Sequence, residues 1–349
     1  MIKDVHRRRF LSGIALTVTA VLPAAACAAG PVEVKSKGPV AGSWDKVVSA
    51  AEKEGRVTIY SSQGTDQLED LKARFEKKYP KIKVMVVRGI DADMTPKVEA
   101  ERKTGKGIAD ILTIASLNWV KTNKDLYEAP RGPSFDAPAY SKATSVPEGT
   151  YFLTNAAILT FGWNTKRYPA GIKDYSDLLN PQLAGGKIGV IKPATSAAVD
   201  FYLYLKETYG EDFVRKLGAQ RPRIYPSSLP MAQALTSGEI AAAAFVQPLV
   251  DEKKTGAPVD WGLPKQAWGS MFWGMALKSS PHPNAAQVLA DFMIGQQGQE
   301  AIARKNASVL RNIPGTVATM GQVRKQELSQ LTPDKVKAFQ EEWNEQYGA

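Results

Sequence analysis

Arg56-Val57-Thr58-Ile59-Tyr60-Ser61-Ser62-Gln63-Gly64-Thr65-Asp66 constrains the fold more than any other stretch of this chain. A β-prone run gives way to a hydroxyl-rich turn containing a glycine. Leu68, Leu71 and Phe75 then recur at helical spacing, so the order is strand, loop, helix. Asp66, with Glu69 three residues on, fits a helix start. A second apolar run at residues 82–87, after Pro80, completes strand, helix, strand within ~30 residues, the unit of a parallel sheet. Such sheets bind ligands beyond the carboxyl ends of their strands. Ser61, Ser62 and Thr65 therefore stand at a binding edge beside the spare N–H groups of a helix start. The same residues also describe a polar turn that merely caps a helix, and only the rest of the chain separates the two readings.

A chain of 349 residues is too long for one ordinary core and suits two domains. Residues 1–28 have the pattern of an export signal. Arg7-Arg8-Arg9-Phe10-Leu11 is a basic region of twin-arginine type, followed by a short apolar stretch at 14–23 and small residues at 24–30. Spanning a bilayer takes about 20 apolar residues, and no stretch here reaches that length, so the mature protein is expected in the periplasm. Cys27, the single cysteine, follows Ala24-Ala25-Ala26. It is read either as a lipidated N-terminal cysteine or as part of a segment removed by cleavage near Ala26 or Ala28. The large aliphatic residue usual three positions before a lipidated cysteine is missing. Either way the folded part has no disulfide. The formal charge of +10 includes Lys3, Arg7, Arg8, Arg9 and Asp4 of the signal, which leaves a moderately basic remainder. That balance favours anionic ligands, although Lys72, Lys77 and Lys78 equally describe a solvated helix face. Without a concentrated basic tract, nucleic acid is not an expected partner.

Residues 29–43 mix Pro, Gly, Lys and Ser and read as a flexible tether. A first helix is expected at Trp44–Glu54, and Thr95-Pro96 opens a later charged helix that Gly105-Lys106-Gly107 ends. A third strand at 108–114 delivers Ala115 and Ser116 to the same edge as Ser61. Residues 151–164 read as one long strand passage near which the chain leaves the first lobe. Strands at 187–190, 224–225 and 240–246 alternate with helices at 198–209 and 231–237. A strand at 268–277 and a chain that is helical from Asn284 to the end complete the expected order.

The chemical inventory excludes most catalysis. Histidine occurs only at His6 and His282, so triads and histidine-cysteine zinc sites lack their parts. Gly105-Lys106-Gly107 and Gly185-Gly186-Lys187 lack phosphate-loop spacing, and Asp91 with Asp93 is an ordinary acidic turn. No enzymatic activity, cofactor or metal site is expected. What recurs is a strand ending in hydroxyls just before a helix, at Ser61-Ser62, Thr195-Ser196 and Ser227-Ser228, with Ser116 alone at a fourth strand end. Each pair is either a helix cap or part of an anion cradle. Arg88 and Arg223, near strand ends, are read as clamp candidates or surface residues. Trp119, Phe245, Trp268 and Trp273 are read as site walls or core packing.

Val57-Thr58-Ile59-Tyr60-Ser61, Phe75-Glu76-Lys77-Lys78-Tyr79-Pro80, Glu101-Arg102 with Gly105-Lys106-Gly107-Ile108-Ala109-Asp110, Gly238-Glu239-Ile240 and Pro283-Asn284-Ala285-Ala286 occur together and in order. With the export signal, they make the chain resemble the periplasmic solute-binding proteins of ABC importers, in the group containing the ferric-binding proteins. The resemblance runs from about Trp44 to Gly315. It implies an α/β, two-lobed, type II periplasmic-binding-protein-like fold with a ligand cleft between the lobes. The lobes are expected at 44–159 with 275–325 and at 160–274, with a C-terminal helical segment at 326–349. It further implies a monomer that closes by a hinge over its solute and offers it to an inner-membrane permease. Ferric-binding members carry adjacent tyrosines shortly after the Gly-Glu strand, but here Gln247-Pro248-Leu249 stand there. The expected solute is therefore a small anion of carboxylate, phosphonate or phosphate type. It is expected to be held by Ser61, Ser62, Ser116, Thr195, Ser196, Ser227, Ser228, Arg88 and Tyr225. Ferric iron or an iron-anion complex is the alternative, with an exported enzyme or a receptor-signalling module behind it.

Cell fractionation should find the mature chain in the periplasm. Mass spectrometry of its N-terminus should show whether Cys27 is removed, free or lipidated. A full-length chain in the cytoplasm would overturn the export reading.

Overall fold

The computed structural model describes residues 38–326 and 330–348. The export signal, Cys27 and residues 29–37 of the tether lie outside the described residues.

Two sheets organise the fold. The first contains β1 (Arg56–Ser61), β2 (Lys83–Arg88), β3 (Ile111–Ile114), β4 (Tyr127–Glu128), β5 (Phe152–Ile158), β11 (Gly269–Leu277), β12 (Ala307–Ser308) and β13 (Ala318–Thr319), in the order β13-β12-β5-β11-β3-β1-β2, with β4 on β11. The second contains β6 (Thr160–Asn164), β7 (Ile188–Ile191), β8 (Arg223–Tyr225), β9 (Ala242–Val246) and β10 (Val259–Gly262), in the order β10-β6-β9-β7-β8. β1 pairs in parallel with both β2 and β3, Ile59 lying opposite Val86 and Ile111. β7 likewise pairs in parallel with β8 and β9. The expected strand-helix-strand opening is present, with the helix Thr65–Lys78 burying Leu68, Leu71 and Phe75. The first helix is Trp44–Glu54, ended by Gly55 at a φ of 72°.

The passage at 151–164, expected as one strand, is two. β5 and β6 meet at Leu159 and belong to different sheets. The third strand begins at Ile111 rather than residue 108, and just before it the fully buried Asp110 adds side-chain bonds to the backbone bonds it makes with Thr58 and Leu277. Its carboxylate accepts from Thr58 N at 2.6 Å, Ser280 Oγ at 2.5 Å and His282 N at 3.0 Å. The helix expected from Asn284 to the end also breaks. Helices Pro283–Ile294 and Gln296–Ile302 are followed by β12 and β13, and helix returns only at Pro333–Tyr347. Lys305, Asn312 and Gly315 in the break adopt left-handed backbone, which a helix cannot continue.

Cores form on both faces of the first sheet, and a third encloses the second sheet. The terminal helix joins this third core. Phe339 stacks on Tyr202 with centroids 5.9 Å apart, and Trp343 is buried beside it. The chain therefore passes between the sheets three times: at Leu159, between β10 and β11, and after β13. The third passage is pinned to the second, since Ala267 N donates to Gln322 O at 2.7 Å and Arg324 N to Ala267 O at 2.9 Å. Beyond that point Arg324 reaches the helix Ser196–Tyr209. Its Nη1 lies 3.0 Å from Asp200 Oδ1, and its Nε donates to Glu207 Oε2 at 2.7 Å. Asp200, 1% exposed, also accepts from Trp268 Nε1 at 2.8 Å.

Removing one partner of a buried ion pair strands the other charge. Arg324→Met should lower stability by about 3–5 kcal/mol, and Arg324→Met with Asp200→Leu should recover most of the loss. Chemical denaturation checks both. A single variant as stable as the parent would show that the pair holds nothing together.

Candidate functional site

Because β1, β2 and β3 are parallel, their carboxyl ends converge on one edge. Ser61 lies opposite both Arg88 and Thr113 in the ladder. Beyond it the backbone is tightly tied, with Ser62 N donating to Thr113 O at 3.0 Å and Gly89 N to Ser61 O at 3.1 Å. Gln63 N donates to Ser61 Oγ at 3.1 Å, and Arg88 Nε to Gln63 O at 3.2 Å. Arg88 is exposed, and no described carboxylate forms an ion pair with it. Beneath this loop the Gln63 amide donates to Asn155 Oδ1 at 2.5 Å, which also accepts from Thr154 Oγ1 at 2.9 Å. Asn155 Nδ2 in turn donates to Ile302 O at 2.9 Å. A buried amide network thus couples the loop to β5, the strand that leads into the first passage.

Three side-chain atoms at this edge are buried without a hydrogen-bond partner: Ser62 Oγ, Gln63 Oε1 and Thr113 Oγ1. Each such group costs about 1–3 kcal/mol when left unpaired. Their clustering, two in the turn after β1 and one on the adjacent β3, marks this edge as built for something other than stability.

The second sheet offers a corresponding edge. Ile191 lies opposite Tyr225, and Lys192 N donates to Tyr225 O at 2.8 Å. Thr195 caps the helix Ser196–Tyr209 by accepting from Ala198 N at 3.2 Å, and Ser196 is exposed in its first turn. Ser227 and Ser228 start the helix Ser228–Ser237, and the Ser227 side chain makes no cap bond. Gln247 is exposed just after β9.

Two expected contacts have other partners. Ser116 donates its hydroxyl proton to Asp91 Oδ2 at 2.7 Å, and the same oxygen accepts from Ala115 N at 3.1 Å. That proton is spent on joining β3 to the helix Asp91–Thr104. The backbone of Tyr225 ends β8, but its ring lies against Gly189 and its hydroxyl lies 3.4 Å from Glu239 Oε1. Burial first, and then the Glu239 charge, raise its pKa. Arg223 opens β8, so it stands at the opposite end of that strand, paired with Glu239.

The aromatic candidates are packed into structure. Trp119 Nε1 donates to Glu99 at 2.9 Å, Phe245 and Trp268 pack in the core around the second sheet, and Trp273 meets Tyr151 edge-on at 5.4 Å. Hollows of about 130, 330 and 400 Å³ elsewhere on the surface gather none of the strand-end residues. Sequence alone does not mark Gln63 or Thr113. Gln63 stands inside the loop at 61–66, but Thr113 looks like any alternating strand residue.

Residues 57–305 match the family described as bacterial extracellular solute-binding protein. No curated protein sequence matches the chain. Among solved structures, iron-bound HitA from Pseudomonas aeruginosa superposes with a TM-score of 0.64 at 18% identity, covering 82% of this chain and 99% of that one. The periplasmic binding protein AfuA from Actinobacillus pleuropneumoniae, bound to exogenous fructose-6-phosphate, gives 0.61 at 22% identity, covering 84% and 99%. A putative extracellular solute-binding protein from Bordetella parapertussis gives 0.68 at 16% identity, covering 84% and 99%. The two-sheet architecture and the match over residues 57–305 lead to one conclusion: the chain belongs to the bacterial extracellular solute-binding proteins, on the type II periplasmic-binding-protein fold.

Proposed function

We propose that the protein captures a small anionic solute of carboxylate, phosphonate or phosphate type between the two strand-end edges and delivers it to an ABC-importer permease. The lobes are the parts built on the first and the second sheet, with the boundary before β11 at Gly269 instead of at residue 275, and they close by a hinge over the solute. The protein acts as a periplasmic monomer without turnover. The observation that carries this reading is the first edge, where Ser62 Oγ and Thr113 Oγ1 are buried without partners beside Arg88, a cation with no described carboxylate partner. Neutral hydroxyl donors beside an uncompensated guanidinium suit an anion better than a cation or a sugar. Ser61, Ser62 and Arg88 receive the solute on one side. Thr195, Ser196, Ser227 and Ser228 receive it on the other, aided by the positive ends of two helices. Ser116 and Tyr225 are left out because their hydroxyls are engaged elsewhere.

Iron carried with an anion is the second reading, supported by the likeness to iron-bound HitA. The residues favour it less. Gln247-Pro248-Leu249 stand where paired phenolates are expected, and the Tyr225 hydroxyl turns toward Glu239.

Thermal-shift screening of metal-free protein against anions, sugars, polyamines and ferric citrate should give stabilisation by an anion. Native mass spectrometry of protein from the exporting organism should show its mass. Ser62→Ala and Ser228→Ala should each weaken binding by about 1–3 kcal/mol, and Arg88→Met by at least as much. Stabilisation only by a neutral sugar or polyamine would overturn the assignment, as would full affinity in all three variants. Release of a chemically altered product would end the reading of a pure binder.

A further inference from the structure

Among the described residues, hydrogen bonds and ion pairs between the two halves gather at the three chain passages, with one exception. Lys305 Nζ pairs with Asp251 Oδ2, and neither residue lies in a passage. Lys305 occupies the turn between the helix Gln296–Ile302 and β12, on the side of the first sheet. Asp251 lies in the short helix Val250–Lys254 that follows β9, on the side of the second.

Both ends of this contact are held firmly. Lys305 is in left-handed backbone, with φ at 61°, and its N donates to Gly315 O at 2.7 Å. On one flank Arg304 pairs with Asp66 at 3.1 Å and its carbonyl accepts from Gln67 Nε2 at 3.4 Å, fixing the turn to the helix that follows β1. On the other flank Asn306 Oδ1 accepts from Ile158 N at 3.1 Å, at the end of β5. Across the gap, Lys253 pairs with Asp260 at 2.8 Å and binds the Asp251 helix to β10. Two anchored groups of opposite charge, one from each sheet's surroundings, therefore meet at the strand-end side of the molecule. The Lys305 side chain is only 28% exposed, and its ammonium holds the Asp251 carboxyl below its ordinary pKa.

We infer that Lys305 and Asp251 form an ionic latch that restrains opening of the two lobes whether or not a solute is present. An ion pair with one well-exposed partner is weak, so the latch tunes the open-closed balance instead of locking it. Its removal should shift that balance about 1.5-fold to fivefold toward the open form. This role is separate from the choice of solute.

The test is single-molecule energy transfer on solute-free mature protein labelled at Met85→Cys and Leu229→Cys, with Cys27 replaced by alanine. Both label sites are exposed, one beside each sheet. Asp251→Asn and Lys305→Asn should each raise the open population by the stated factor, asparagine being chosen because it accepts left-handed backbone. The exchanged pair, Lys305→Asp with Asp251→Lys, should restore the parent distribution at low salt. High salt should bring the parent toward the single variants. Unchanged populations in Asp251→Asn would overturn the latch, as would an exchanged pair that behaves like the singles. Because no solute enters the assay, such a result leaves the anion assignment standing, and failure of the anion screen leaves the latch standing.

Discussion

The parallel pairing of β1 with both β2 and β3 is the constraint on which the candidate binding edge depends. Parallel strands must be joined by crossovers, so each strand end at that edge leads into a loop and then a helix. The register sets Ser61 against Arg88 and Thr113, and the backbone bonds of Ser62 and Gly89 extend that order one residue past the sheet. A slip of β1 by one residue would turn Ser61 away from the face it shares with Thr113 and bring a neighbour such as Tyr60 in its place. The hydroxyl edge is thus a consequence of hydrophobic burial along β1, whose residues from Val57 to Ser61 are all buried.

The connections between the sheets impose a second order. β5 and β6 are separated only by Leu159, and the return from β10 to β11 runs beside the third passage. A hinge needs short segments that absorb backbone rotation while the bodies on either side stay packed. Here separate cores hold the two bodies, and the proposed rotation would fall to the passages, two of which are bonded to each other. The Asp200 carboxylate, shared between Trp268 and Arg324, ties two of these passages to the helix that begins at Thr195-Ser196. On the other side, Gln63 and Asn155 tie the Ser61-Ser62 loop to β5. Both candidate edges are therefore tied to the chain passages through buried polar groups.

The chemistry of the edges follows from what each hydroxyl has left to give. A serine supplies one proton, and once Ser116 commits it to Asp91 none remains for an anion. Thr195 accepts at its cap, so its own proton is still available. Ser62 and Thr113 are buried with neither function used. The residues that matter at such a site are not the most numerous hydroxyls but those whose local structure leaves them unspent.

The sequence by itself determined the elements whose cause is local. Helix Trp44–Glu54, the strand-helix-strand opening, the helix start at Thr195-Ser196 and the solute-binding family were all legible, because side-chain period, caps and short motifs act within a few residues. Tertiary structure decided whatever depends on distant partners. The proton of Ser116 goes to a carboxylate 25 residues earlier, and the Tyr225 hydroxyl turns to Glu239, 14 residues later. The apolar run at 151–164 divides at Leu159 because two sheets compete for its halves, which no periodicity records. The terminal helix joins the core around the second sheet because Phe339 and Trp343 find Tyr202 there. Lys305 and Asp251 are 54 residues apart and carry no shared motif. Folding alone brings them within reach, since a charge in sequence has no partner until the backbone around it is fixed.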